Sequence, residues 1–234
     1  MSAACANRGI VGFMDRPSAH RVRFRWEAAD PVVTRERLRR AGFTVSSAGA
    51  LVLPSLRVDV VAAAVPADRL VPAADDDGSD ARTPGPTHPN GVVDLLAVGW
   101  ATVDIDRSLA EGGVSAEREP SDPHLGAFAA RIRTTSRGPH ALLLEPNTEG
   151  RLVATLVRHG EGPAALYFGA GVAGLAGAAA AVRTTGGLPT AVADGPLGPS
   201  ILLAGGPVSG PHLLVVDRPS DPGDDTAEPG TIGA

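Results

Sequence analysis

The stretch Leu143–Phe168, LLEPNTEGRLVATLVRHGEGPAALYF, decides the fold, because the chain on either side of it repeats one pattern. His140–Glu145 reads as a strand leading into it and Ala164–Phe168 as a strand closing it. Between them stand a strand exit at Glu145-Pro146 and a turn at His159-Gly160-Glu161-Gly162. Upstream, Val92–Val103 reads as a strand, Asp104–Glu111 starts a helix, residues 112–124 read as polar and irregular, and Phe128–Thr134 reads as a strand. Downstream, Val172, Leu175, Ala179 and Val182 fall at helical spacing, and Thr190–Ala193, Ser200–Leu203 and His212–Asp217 read as strands. Each half is β-α-β-β-β in outline.

The same outline recurs at 20–64. Val22, Phe24 and Trp26 alternate with Arg21, Arg23 and Arg25, the period of a half-exposed strand. Asp30-Pro31 is a helix start, an N-cap followed by proline at the first helical position. Phe43–Val45, Ala50–Leu53 and Leu56–Ala63 read as strands. Residues 65–91 crowd acidic residues, prolines and glycines and lack apolar periodicity, so a linker is expected there. The expected organisation is an N-terminal arm and unit over 1–64, a linker over 65–91, a two-module domain over 92–218 and a disordered tail over 219–234.

Leu143–Pro146, Arg158–Gly162 and the closing His212–Pro219 (HLLVVDRP), in this order and spacing, resemble the vicinal oxygen chelate superfamily, which includes glyoxalases and bleomycin-resistance proteins. The turn His88-Pro89-Asn90-Gly91 also resembles glyoxalase-like proteins. The nearest likenesses are methylmalonyl-CoA epimerase and the N-terminal half of 4-hydroxyphenylpyruvate dioxygenase. The resemblance implies an α+β fold of paired βαβββ modules whose curled mixed sheets enclose a cavity, with residues 20–64 as an extra βαβββ-like unit. Metal-binding members supply His and Glu or Gln from the first and last strands of each module to a divalent ion, which polarises a carbonyl or enolate oxygen. Carried onto this chain, those positions fall near Ala97, Leu142, Ala165 and Leu214, none of which can coordinate a cation. No metal and no cofactor is expected.

Residues two apart on a strand share a face, so His140 accompanies Leu142, His212 accompanies Leu214 and Tyr167 accompanies Ala165. His140, His212 and Tyr167 are therefore the candidate catalytic residues of a metal-free site, an imidazole near its ordinary pKa of ~6.5 serving as acid or base. The alternative puts both histidines at strand ends in contact with water. Arg131 and Arg133 share a strand face and suit bidentate pairing with a carboxylate or phosphate, a solvated edge being the alternative. His88 and Trp100 complete the expected ligand contacts. Glu161 and His159 are expected to be structural.

Composition narrows the chemistry. The 234 residues are 43% hydrophobic and only 3% aromatic, so Ala, Val and Leu must fill the core. There is no lysine, which excludes Schiff-base catalysis. The net charge of −5 argues against non-specific nucleic-acid binding. Cys5 is the one cysteine, so no intramolecular disulfide forms. No stretch reaches ~18 consecutive apolar residues, so no membrane span is expected. The first residues lack a signal-peptide pattern, and a cytoplasmic protein is the default. No P-loop, GxGxxG after a strand, H-E-x-x-H or G-x-S-x-G is present.

Two functions remain, beside that of a structural subunit which has lost its site. One is a metal-independent isomerase, cyclase or lyase acting on a carbonyl-containing metabolite, in a setting of secondary metabolism. The other is a protein of the bleomycin-resistance type that sequesters a small molecule without changing it. The N-terminal unit has two expected roles, completing the cavity or forming a homodimer contact.

Overall fold

The computed structural model describes residues 21–64, 67–73, 86–134, 138–203 and 211–217. The expected arm, Cys5 and the expected tail lie outside the described residues.

The N-terminal unit is built on β1 (Val22–Ala28), α1 (Pro31–Arg40), β2 (Ala50–Val52) and β3 (Leu56–Ala62). Helix α1 starts where the sequence requires it. The Asp30 carboxylate accepts the Val32 and Val33 amide protons at 2.9 and 3.1 Å, and Pro31 follows with no amide to leave unpaired. The helix stops at Ala41, beyond which Gly42 turns the chain at φ 78°. Strand β1 pairs parallel with β3, and β3 antiparallel with β2. Of the expected strand Phe43–Val45, only Val45 bridges, to Leu51.

The span expected as a linker supplies a strand. β4 (Asp68–Pro72) pairs antiparallel with β1, in the order β2-β3-β1-β4. A short alternating segment is concealed there by its acidic, proline-rich surroundings. Leu70 is buried in the core, Arg69 meets Glu27 at 2.9 Å, and Asp68 accepts from the Trp26 indole and lies 3.6 Å from Arg37. Further on, His88 and Asn90 are also buried.

The second half of the chain is one eight-stranded sheet. Its first module is β5 (Val92–Ala101), α2 (Ile105–Gly112), β6 (Ala116–Asp122), β7 (Ala127–Ile132) and β8 (His140–Pro146). Helix α3 (Arg151–His159) leads to the second module: β9 (Gly162–Ala170), α4 (Gly174–Thr184), β10 (Ala193–Gly195), β11 (Gly198–Leu202) and β12 (His212–Val216). The strand order is β10-β11-β12-β9-β5-β8-β7-β6. Within each module the first and last strands run parallel, and β5 and β9 join the modules antiparallel. The chain is thus α+β, with paired βαβββ modules forming a curled mixed sheet. The outer strands β6 and β10 approach each other. The His124 ring, just beyond β6, spans the gap to the Ser200 carbonyl at 3.0 Å and the Thr190 hydroxyl at 3.2 Å.

Three local expectations shift. The stretch read as irregular contains β6, an edge strand whose charged residues hide its pairing with β7. The strand expected at Thr190–Ala193 forms at Ala193–Gly195 instead. Val172 precedes α4 and is fully exposed, so the helical stripe starts at Leu175.

Strand alternation gives the large sheet two apolar faces. The outer face, with Val98, Trp100, Leu166 and Phe168, packs under the helices and merges with Phe24, Trp26 and Leu38 of the N-terminal unit. Phe43 and Phe168 meet across that junction with ring centres 5.2 Å apart. The inner face carries Ala97, Leu142, Ala165, Tyr167 and Leu214.

Leu70 distinguishes an integral strand from a linker. Leu70→Ala is expected to cost about 2–5 kcal/mol in urea denaturation, as for a core leucine. A change within ~0.5 kcal/mol, typical of surface sites, would show that β4 adds nothing to the fold.

Candidate functional site

The four positions from which the fold's metal ligands are expected all lie on the inner face. Ala97, Leu142, Ala165 and Leu214 are each 0% exposed. None has a lone pair to offer. Their neighbours leave little space: a β-carbon added at Gly99 would fall 2.6 Å from Leu144 Cδ1 and 3.1 Å from both Ala165 Cβ and Tyr167 Cε2. Helix α3 lays Leu152 and Leu156 against the same cluster, and Leu125 fills in beside them. These residues do not fit a cation, because the donor set is hydrocarbon and the space is packed. Among the described residues no group of three or more His, Cys, Asp or Glu side chains is placed to hold one.

One polar pair sits inside this apolar surface. The Tyr167 hydroxyl donates to Asp122 Oδ2 at 2.7 Å, and Asp122 Oδ1 accepts the amides of His124 and Leu125 at 2.9 and 3.0 Å. Burial raises the Asp122 pKa, with the Tyr167 hydroxyl and those amides opposing the rise. Burial also raises Tyr167 well above 10, and the neighbouring carboxyl adds to the effect. Tyr167 is foreseen from the sequence; Asp122 is not, because it closes a stretch read as irregular. Its signal was the run Asp122-Pro123-His124-Leu125-Gly126, the composition of a turn in which an aspartate accepts amides two and three residues on.

The two histidines of the pseudo-twofold are separated. His140 pairs in register with Ala97, and His212 with Ala165. Strands β5 and β9 stand between β8 and β12, so three spacings of about 4.8 Å separate the two along the sheet. His212 is buried beneath α3, where its Nε2 lies 3.0 Å from the Thr155 hydroxyl. His140 is half-buried at the opposite end of the inner face, with its pKa lowered first by burial and then by Arg131.

The remaining candidates divide similarly. Arg131 faces inward beside His140, with its Nε 2.7 Å from Glu119. Arg133 lies one residue beyond the end of β7, where its amide still bonds the Ser115 carbonyl at 2.9 Å, and it is exposed. Trp100 points to the outer face, because alternation along β5 turns Ala97 and Ala101 inward and Trp100 outward. His88 is buried in the junction with the N-terminal unit, where Nδ1 accepts the Thr44 amide and Nε2 meets the Val52 carbonyl. Glu161 secures the hinge, accepting from Thr102, the Val103 amide and Arg107. The inner face therefore has a sealed end, under α3, and a half-exposed end. At the latter lie His140 and the Arg131–Glu119 pair, on the face whose apolar cluster Leu96 packs against.

No protein-family model and no curated protein matches the chain. Solved structures share the fold outline. Methylmalonyl-CoA epimerase from Mycobacterium tuberculosis is 18% identical, over 56% of this chain and 91% of that one, with TM-score 0.46. A variant of the Streptomyces coelicolor methylmalonyl-CoA epimerase in complex with 2-nitronate-propionyl-CoA is 21% identical, over 55% and 99%, with TM-score 0.45. A hypothetical protein from Bacillus halodurans is 18% identical, over 54% and 94%, with TM-score 0.43. At these levels no activity carries across, and the architecture rests on the chain's own strand order.

Two substitutions test the packed face. Gly99→Ala is expected to cost about 1–3 kcal/mol by overpacking, and an unchanged denaturation midpoint would reveal room the face should not have. Asp122→Asn keeps an acceptor for the two amides. A folded carboxyl with a raised pKa binds its proton more tightly than the unfolded one. Wild-type stability should therefore fall as pH rises above about 4, and the asparagine variant should lack that fall. A stability difference independent of pH between 4 and 7 would contradict the assignment.

Proposed function

We propose that the chain is a metal-independent small-molecule-binding protein whose ligand seats at the half-exposed end of the inner face. The observation that carries this is the placement of half-buried His140 beside Arg131 on an otherwise apolar face, against which Leu96 also packs. A small-molecule site needs that combination of apolar contact and a few orienting polar groups. The centre of the face is filled by side chains and offers no comparable place. Arg131, held at the rim by Glu119, supplies positive charge for a carboxylate or an enolate oxygen. The ligand is accordingly a small organic molecule with a carbonyl or carboxylate group.

A second reading, catalysis, is favoured by the state of His140. With its pKa below the usual 6.5, the imidazole is neutral at pH 7 and has a lone pair for a proton. An isomerase or lyase would use it to take a proton beside a carbonyl, with Arg131 balancing the charge that develops. Sequestration needs the same contacts without proton transfer.

The deciding experiment is native mass spectrometry of the purified chain to find a co-purifying small molecule, followed by titration and a turnover assay with that compound. Binding near one per chain, weakened about tenfold (1.4 kcal/mol) or more in His140→Ala, supports the site. Turnover at substoichiometric protein, lowered about 10²–10⁴-fold in His140→Ala, selects the enzyme. Undiminished binding in both His140→Ala and Arg131→Ala would place the ligand elsewhere.

A further inference from the structure

His88 and His212 are buried histidines away from the half-exposed end: His88 fastens the segment 86–91 to the N-terminal unit, and His212 fastens helix α3 to β12. We propose that together they form an acid-sensitive fastening. On protonation, the segment 86–91 and helix α3 loosen while the eight-stranded sheet stays folded.

The geometry at His88 permits one protonation state. The Thr44 amide can only donate, so Nδ1, 3.0 Å away, must carry a lone pair. The Val52 carbonyl can only accept, so Nε2, 3.1 Å away, must carry the hydrogen. A second proton on Nδ1 would face an N–H and break the contact. Its described neighbours Thr44, Val52 and the edge-on ring of Phe43, 5.5 Å from centre to centre, bring no charge. The same segment is stapled to the end of α1 by Asn90, whose amide donates to Gly42 O at 3.1 Å and whose side chain donates to Ala41 O at 2.9 Å. Losing the His88 contact leaves those bonds, with the Thr44 hydroxyl on the Thr87 carbonyl at 2.9 Å and the Gly171 amide on the Gly91 carbonyl at 2.8 Å, to hold the segment.

At His212 the arrangement opposes added charge. The Thr155 hydroxyl donates to the Arg151 carbonyl at 2.9 Å, which leaves its lone pair to accept His212 Nε2–H at 3.0 Å. The charged and titratable groups facing His212 are Arg151 and His159 from α3 and Arg37 from α1. Arg37 lies 3.6 Å from Asp68 of β4. The adjacent strand β9 contributes Ala165, which is neutral. An imidazolium would therefore lie buried near two guanidinium groups, with the Arg151 carbonyl opposing their effect. Burial first, and then Arg151 and Arg37, lower the His212 pKa to about 3.

The direction of the effect follows from linkage. An imidazole whose pKa is lower in the folded state binds fewer protons there than in the opened state. Protection is thus complete above about pH 6.5 and is lost as pH falls towards the folded value. Helix α3 is suited to open locally, because glycines flank it: Gly150 caps it without a side-chain hydrogen bond, and Gly160 follows at φ 72°.

The test is hydrogen-exchange mass spectrometry of the full chain at pH 7.5 and pH 5.0, with rates corrected for intrinsic exchange at each pH. Peptides covering 86–91 and α3 should lose at least tenfold in protection at pH 5.0, while β5 and β9 keep theirs. His88→Gln and His212→Gln, which keep hydrogen-bonding groups without a titratable ring, should each remove the acid response of their own segment. Unchanged protection at pH 5.0 overturns the proposal, and so does loss of protection in all segments together. Should either variant fail to fold, the wild-type comparison of segments against β5 and β9 still decides.

Discussion

The antiparallel pairing of β5 with β9 is the contact on which the rest of the large sheet depends. It joins two modules head to tail around a local twofold, so each module's first strand has its own last strand on one side and the other module's first strand on the other. Register irregularities near Val92, Leu95 and Gly99 bend β5, and a bend at the seam helps an eight-stranded sheet curl. The curl brings β6 round towards β10, where one imidazole completes the ring of contacts. Gly99 lies at this seam and allows the Tyr167 ring to approach the backbone.

Packing at the seam changes what the inner face can do. Here Ala97, Leu142, Ala165 and Leu214 offer no donor atom, and leucines from α3 and the β6–β7 turn pack against them. The one carboxyl buried among the described residues, Asp122, is tolerated because a hydroxyl and two amides satisfy it. It holds the turn that carries Leu125 and His124, so the polar pair acts as a spacer for apolar packing and for closure of the sheet.

Much of the architecture was legible because it follows from alternation and turn chemistry. The Asp30-Pro31 start of α1, the inward pairing of Ala97, Leu142, Ala165 and Leu214, and the two modules about Leu143–Phe168 need only local patterns. The missed elements share a physical cause. β4 and β6 are edge strands with few apolar residues, and their identity comes from partners distant in sequence. The candidate site was half legible for a related reason. Periodicity gives the face of a side chain and says nothing of its depth or of what covers it. His140 and His212 were placed on equivalent positions, yet α3 buries one and leaves the other half-exposed. Trp100 was expected at the ligand and lies in the outer-face cluster, because a large aromatic on a central strand suits either face.

β4 has a consequence for assembly. In the large sheet, the open side of β5 is taken by a complete second module; in the N-terminal unit, the equivalent side of β1 is taken by a five-residue strand from the same chain. That strand ends in proline and carries Asp68 and Arg69, features that discourage a further strand from docking along it. The N-terminal unit is therefore a module whose partner-seeking edge has been plugged from within. Exchange of modules between chains, an inexpensive route to dimers for paired architectures, is closed along that edge.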